Sequence, residues 1–290
     1  MIGWDEVTNR YGDGNNLLLV DGINFAMRFS TRSTIIYAPE FLANIRSIAK
    51  SYGCRKIIIL SDNKGSSYRK DIYPEYKANR QERRDEQTQE ERDAFEIFFK
   101  EYLRSLELAQ ESGITVVSLK GVEADDLATY FCNNTQDLFT NIWLCSTDGD
   151  WDQLLQSNIK RFSYKTRKEY TLDNFYDNHG CDTPEQFTHI KAIQGDMGDN
   201  VRGVDGIGPK RAYNLIREYG SVHEIYAALP LEGNQLFIKN LNKFGDKLLL
   251  NLQLVDLPSY YGTAIDHAAK LYNEDYFDYL NKVVGELHNA

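Results

Sequence analysis

Nine carboxylates stand where they could do chemistry together: Asp21, Asp62, Glu123, Asp125, Asp126, Asp148, Asp150, Asp196 and Asp199. The densest group lies in GVEADDLATY, residues 121 to 130, at the start of an expected helix. Acidic side chains suit a first helical turn, where free N–H groups and the macrodipole favour negative charge, and that local explanation suffices for this segment alone. The full set asks for more. Like charges gathered in one place cannot all stay ionised without cations. Oxygen-only ligands select hard ions, and magnesium keeps waters while leaning on few carboxylates, so the set leaves room for two ions with outer partners. Two such ions about 3.5–4 Å apart clamp a phosphodiester, one activating water and the other stabilising the leaving oxygen.

The elements that must position these acids are legible in the apolar pattern. Four β-branched runs recur in the first half: LLLVDG (17 to 22), IIILSD (57 to 62), ITVVSL (114 to 119) and IWLCSTD (142 to 148). They are short, apolar on both alternating faces and separated by helix-length segments, which predicts a buried parallel sheet with crossover helices. Each run is followed closely by acid. In open α/β sheets the ligand site lies beyond the carboxyl ends of the strands, so four acidic strand ends are expected to converge on one crevice. KAIQGDMGDN carries Asp196 and Asp199 three apart, on one face if that segment is helical.

The totals exclude several classes. With 290 residues and 42% hydrophobic content, the chain can bury a full core. Its longest apolar runs fall far short of the roughly 20 residues needed to span a bilayer, and no export signal is visible, so a cytoplasmic protein without membrane association is expected. Cys54, Cys132, Cys145 and Cys181 are widely spaced and are expected to be reduced, buried thiols; no histidine has zinc-type spacing. A net charge of -10 argues naively against nucleic acid. Global charge is a poor witness, however, when the acid is gathered in one cation-binding site.

Basic residues cluster locally. The polar stretch 66 to 113 is too long for an ordinary connector; RQERRDEQTQEERD within it predicts a solvated, ion-paired helix, and PEYKANR places an aromatic ring beside a lysine and an arginine that could stack a base and hold phosphates. NIKRFSYKTRKEYTL, with Lys160, Arg161, Lys165, Arg167 and Lys168, predicts a hairpin whose basic residues either line an exposed edge or face phosphates. GVDGIGPKRAYN, residues 203 to 214, has the glycine turn of a helix-hairpin-helix element, with Gly203, Gly206 and Gly208 ahead of a helix carrying Lys210 and Arg211. Such a turn aims backbone N–H groups at phosphate without reading sequence. The tail from 263 to 290 reads as helical.

VDGINF, PEYKANR, GVEADD, STDGDWD, QGDMGDN and GVDGIGPKRAYN, in this order, resemble the motifs of the 5′ nucleases, or flap endonucleases, most closely the stand-alone bacteriophage type. The resemblance covers about residues 17 to 258. It implies an α/β fold with a mainly parallel central sheet, helices on both faces, a helical arch over residues 66 to 113 and a C-terminal helix-hairpin-helix subdomain. A catalytic domain over residues 1 to 183 and a DNA-binding subdomain over 184 to 290 follow from it. It also implies hydrolysis of 5′-flap and branched DNA with 5′-3′ exonuclease activity in phage DNA replication, dependent on two Mg²⁺ ions that Mn²⁺ replaces, with K⁺ at the glycine turn.

Position by position, the resemblance puts Asp21, Asp62, Glu123, Asp125, Asp126 and Asp148 in a first metal group and Asp150, Asp196 and Asp199 in a second. Asp148 and Asp150 are placed in the catalytic machinery, with Lys77 and Arg80 as cations near the scissile phosphate and Tyr76 as a ring that stacks on substrate. Gly206, Gly208, Lys210 and Arg211 are DNA contacts. The implied reaction is in-line attack by water, leaving a 5′-phosphate, on a monomer that also accepts RNA-DNA hybrids. Two other readings use the same acids: a metal-dependent phosphohydrolase of a small substrate, and a non-catalytic binder of DNA junctions.

Overall fold

The computed structural model describes residues 14–30 and 36–288. The extreme N-terminal segment, on which the expectation of no export signal rests, lies outside them. Six strands form one sheet: β1 Asn16–Asp21, β2 Cys54–Leu60, β3 Thr115–Val117, β4 Asn141–Cys145, β5 Ile159–Ser163 and β6 Lys168–Tyr170. Their order is β3-β2-β1-β4-β5-β6, and all neighbours are parallel except β5 and β6. The chain therefore builds outward from β1 to β3, then returns to lay β4 on the opposite side of β1. That reversal opens the crevice between the carboxyl ends of β1 and β4.

The helices are α1 Gly22–Ala26, α2 Ala38–Ser51, α3 Ser67–Ile72, α4 Ala78–Asp85, α5 Gln89–Glu111, α6 Ala124–Thr135 and α7 Phe175–His179. There follow α8 Pro184–Gln194, α9 Pro209–Tyr219, α10 Val222–Ala228, α11 Leu236–Phe244, α12 Lys247–Val255, α13 Leu257–Tyr272 and α14 Tyr276–His288. A two-stranded antiparallel ribbon, β7 Gly195–Asp196 with β8 Val201–Arg202, separates α8 from α9.

Side chains alternate across the sheet, and both faces are covered. On one face Leu18, Val20, Ile59, Trp143 and Cys145 pack with Phe41 and Ile45 of α2 and with Phe98 and Tyr102 of α5. On the other, Leu17, Leu19, Ile58, Leu60, Ile142 and Leu144 are fully buried, with α6 packed on β1 and β2. Each large apolar side chain so buried contributes about 1.5–3 kcal/mol before conformational entropy is counted. Cys132, Cys145 and Cys181 are buried free thiols, and Cys54 is a partly exposed one. No helix of the described residues is long and apolar enough to cross a membrane.

The chain packs as two units. One comprises the residues up to Ser67, Gln87–Thr171 and the residues from Tyr261 onward; the other comprises Tyr68–Glu86 and Leu172–Tyr260. By packing, the division is discontinuous: 68–86 join the second unit, and the residues from Tyr261 onward belong with the sheet.

Three local expectations need correction. The charged stretch RQERRDEQTQEERD is not one helix: α4 stops at Asp85, and Thr88 restarts the chain as α5. Thr88 accepts from the Glu91 N–H while the Glu91 carboxylate accepts from the Thr88 N–H at 2.8 Å, a reciprocal cap that fixes the new start. The hairpin at 159–170 forms as expected, but Arg161 is buried and Lys160 donates to Asn141, so neither belongs to an exposed basic strip. Finally, Asp196 and Asp199 do not share a helix; they bracket the tight turn of the β7–β8 ribbon.

Candidate active site

At the reversal point, Asp21 ends β1 with 6% exposure. Its carboxylate accepts from the Asn24 N–H at 3.3 Å and from the Ser146 hydroxyl at 2.8 Å, and Ser146 in turn accepts from the Asp148 N–H. One hydroxyl therefore joins the ends of β1 and β4. Asn24 adds a second tie, its side-chain oxygen accepting both the N–H and the hydroxyl of Thr147 at 3.0 Å. Burial pushes the Asp21 carboxyl up to about 7, with Asp62 and Asp148 adding repulsion against the relief of its hydrogen bonds.

The start of α6 settles what the acids of GVEADD do locally. Glu123 occupies the N-cap position, is 2% exposed and makes no side-chain cap. The helix is instead capped from a distance by Asp62, which accepts from the Ala124 N–H at 2.6 Å. Asp125 accepts from the Trp151 indole at 2.7 Å, and Asp126 is fully buried. Helix-end electrostatics thus accounts for Asp62 more directly than for Glu123. Asp148 accepts from the Asp150 N–H at 2.9 Å, which curls the chain into a short 3₁₀ turn presenting Asp150.

Beneath that turn lies a buried ion pair that sequence reading passed over. Arg161 of β5 donates to both oxygens of Asp152, at 2.6 and 2.7 Å, and to the Ser146 carbonyl at 3.0 Å. Tyr170 lies under the guanidinium, its ring centroid 3.9 Å away. The fork geometry satisfies both charges and pins the backbone between β4 and Asp148. Asp152 sits inside STDGDWD, so its acid was visible; its partner was hidden in a basic run.

In the second unit, Asp196 and Asp199 occur with their own cations. Asp196 accepts from the Gly198 and Asp199 N–H groups and from Lys191 at 2.8 Å. Burial works to raise its carboxyl, but the Lys191 charge and these hydrogen bonds hold it below the ordinary value. Asp199 accepts from Tyr76 at 2.9 Å and Arg80 at 2.7 Å and lies 3.5 Å from Lys77. The backbone completes the clamp: the Lys77 N–H donates to the Asp199 carbonyl, Asn79 to the Met197 carbonyl and Asn200 to the Glu75 carbonyl. Lys77 and Asn200 both adopt left-handed conformations, with φ of 57° and 62°. Tyr76 is 3% exposed, with Lys77 over its ring, so in this arrangement it positions Asp199 and does not offer a face for stacking.

The glycines of GVDGIGPKR differ in their physical reasons. A Cβ at Gly203 would lie 1.9 Å from the Gln194 carbonyl oxygen, so the ribbon itself excludes any side chain. Gly206 needs its φ of +83°, and its carbonyl accepts Arg211, an oxygen that a monovalent cation in the turn would have to share. Gly208, the N-cap of α9, has φ of −91° and open space around it. Nothing in the fold requires glycine there. Lys210 and Arg211 are exposed beside it, with Arg211 also over the Phe237 ring.

These donors fit a hard divalent ion: the ligands are oxygens, and Asp21 is raised first by burial and then by the charges of Asp62 and Asp148, which a cation would offset. Among the described residues no three acids, imidazoles or thiols already form a metal cage. The carboxylates are spread over the N–H and hydroxyl donors described above.

A sheet with acidic strand ends at its reversal point, followed by a helical domain with a glycine turn, defines a metal-dependent phosphodiesterase of the nuclease type. The chain belongs to the 5′-3′ exonuclease family: the family's N-terminal resolvase-like domain matches residues 16–180, and its C-terminal SAM fold matches residues 182–273. It is 46% identical over 251 residues to the flap endonuclease of Escherichia phage T5, covering 86% of each chain. A 5′-3′ exonuclease of Bacillus subtilis is 31% identical over 240 residues, covering 76% of this chain and 75% of its own. A crystal structure of the phage T5 flap endonuclease with DNA and metal ions matches with TM-score 0.90 and 43% identity, covering 95% of this chain and all of that one.

Proposed function

We propose that this protein is a structure-specific 5′ nuclease that hydrolyses phosphodiesters in 5′-flap and branched DNA and degrades DNA from 5′ ends during phage replication. The observation that carries this reading is the junction of Asp21, Ser146 and Asp148 at the sheet's reversal point, with Asp62, Glu123, Asp125, Asp126 and Asp150 on the adjoining strand and helix ends. Asp150, Asp196 and Asp199 are read as the second acidic group. Bound Mg²⁺, as two ions, would polarise the scissile phosphodiester and acidify water. The chain's own part is orientation and charge: the strand-end acids fix the ions, and Ser146 and Asn24 hold the acids. Lys77 and Arg80 place positive charge against the negative charge that develops on phosphorus oxygens. Gly208, Lys210 and Arg211 present bare backbone and cations to duplex phosphates.

The direct test is a time course on a 5′-flap DNA labelled separately at both ends of the cut strand, with Mg²⁺ and with chelator. Scission near the junction that chelator abolishes, leaving a 5′-phosphate, is expected. Turnover of mononucleotides in preference to the flap would favour a small-substrate phosphohydrolase, and tight junction binding without scission would favour a structural binder.

The contrast between glycines yields a second test. Gly208→Ala is expected to change stability by about 0.5 kcal/mol yet weaken duplex binding roughly tenfold, the loss of one charge-assisted backbone contact. Gly203→Ala is expected to destabilise the fold by about 1–3 kcal/mol through overpacking. Melting curves beside fluorescence-anisotropy titrations with duplex DNA separate the two, and unchanged duplex affinity in Gly208→Ala would remove the turn from the DNA contact.

A further inference from the structure

Beyond β2 and β3 the strand ladder continues into the loops that carry two of the acids. The Ser61 N–H donates to the Val117 carbonyl at 3.0 Å, that of Gly121 to the Asn63 carbonyl at 2.7 Å and that of Ser67 to the Gly121 carbonyl at 2.9 Å. Asp62 lies on one side of this seam, and Glu123 follows Gly121 by two residues on the other. Asp62 then crosses to the Ala124 N–H, so the seam and that bond together set the spacing of the two acids.

The terminal helices grip the seam at three points. His267 Nδ1, on α13, lies 3.2 Å from the Ser67 hydroxyl oxygen. That hydroxyl donates its single proton to the Gly121 carbonyl at 3.2 Å, so the imidazole donates from Nδ1–H. Tyr272 packs on Gly121 so closely that a Cβ there would come within 2.7 Å of its ring, and Lys120 Nζ sits 4.0 Å from the centroid of the same ring. Tyr276, at the start of α14, donates its hydroxyl to the Lys120 carbonyl at 3.1 Å. Helix α14 is in turn anchored on α6, the helix that starts beside Glu123: the Tyr130 hydroxyl donates to Asn281 at 2.7 Å.

We infer that His267 is a positioning residue for the metal site: through Ser67 it holds the Gly121 backbone, and with it the approach of Glu123 to Asp62, so that it raises affinity for a divalent ion without touching it. This rests on the nuclease reading above. Ligands drawn from the end of β2 and the start of α6 bind an ion tightly only when their separation is fixed beforehand, and partners one step removed from the ligands carry about 10–100-fold in metal affinity. His267 acts from one hydrogen bond further out, so a smaller factor of about five to twenty is expected. Packing of α13 on the body needs only its apolar face, where Ala264, Ile265 and Ala268 are fully buried. The imidazole beside that face reaches a hydroxyl that leads to the acids.

The test is Mn²⁺ binding to the DNA-free protein, read from the electron paramagnetic resonance signal of the free ion, beside thermal melts, for wild type, His267→Ala, His267→Asn and Ser67→Ala. His267→Ala is expected to bind Mn²⁺ about five- to twentyfold more weakly and to raise by a similar factor the Mg²⁺ concentration that half-saturates flap cleavage. His267→Asn puts an amide N–H near the place of Nδ1–H and is expected to restore most of the affinity. Ser67→Ala is expected to lose at least as much as His267→Ala, and the double variant no more than Ser67→Ala, since the shared bond can be deleted only once. Wild-type Mn²⁺ affinity in His267→Ala, whatever its melting temperature, would overturn the inference and leave His267 a helix anchor, as would a loss that His267→Asn fails to restore. Should His267→Ala fold poorly, Ser67→Ala decides by the same criterion from the other side of the bond. Failure of wild type to bind Mn²⁺ or to cut the flap would instead overturn the nuclease reading.

Discussion

Asp148→Asn is expected to slow single-turnover cleavage of a 5′ flap by about a thousandfold or more, with flap affinity in Ca²⁺ held within a few-fold. The amide is nearly isosteric and its oxygen can still accept from the Asp150 N–H, so the short turn after β4 survives. What it loses is the negative charge adjoining Asp21 across Ser146. Asp196→Asn is expected to behave alike, since its amide oxygen can still accept from the Gly198 and Asp199 N–H groups and keep the turn, while the Lys191 contact at the other oxygen is lost. Quenched-flow cleavage alongside anisotropy titration reads both quantities. Wild-type rates in either variant would remove that acid from the mechanism.

The largest effect on stability is expected at a residue outside the metal set. Asp152→Ala leaves Arg161 charged and buried, with the Asp152 carboxylate gone from both of its hydrogen bonds. Removing one partner of a buried pair costs about 3–5 kcal/mol, or roughly 6–20 °C in melting temperature for a domain of this size. Replacing both partners, as Asp152→Leu with Arg161→Met, is expected to recover most of that loss, because no charge is then stranded. Thermal melts of the single and double variants check this. If the single variant melts with wild type, the pair does not support the strand end, and the Ser146 carbonyl must be held by its other neighbours.

Much of this arrangement could be read from the chain. The four β-branched runs became β1 to β4 because a sheet buried on both faces demands continuous apolar sequence, and the acids after them sit at the strand ends because the reversal point is fixed by topology. What failed were readings that depended on partners distant in sequence. The pair Asp196 and Asp199 suggested a helix by spacing, but Gly195 at φ +74° and Asn200 at φ +62° fold the segment into a ribbon turn. Tyr76 suggested a stacking ring from its neighbours Lys77 and Arg80, yet its ring is buried and its hydroxyl donates to Asp199, 123 residues away. Arg161 was one of five cations in a polar run, and only the fold reveals that it faces inward. Ser146 and Asn24 carried no local sign beyond lying next to acids.

The clamp between residues 73–80 and the ribbon turn has a consequence for synthesis. Every tie within it joins residues about 120 positions apart, as in the Arg80 to Asp199 pair with a separation of 119. At translation rates of about 5–20 residues per second, the cations emerge roughly 6–24 s before the carboxylate that orients them. A nascent chain that has completed its sheet therefore holds the strand-end acids in place while Lys77 and Arg80 still lack their anchor. Emergence of the ribbon turn, and not closure of the sheet, is the event that completes this clamp on the ribosome.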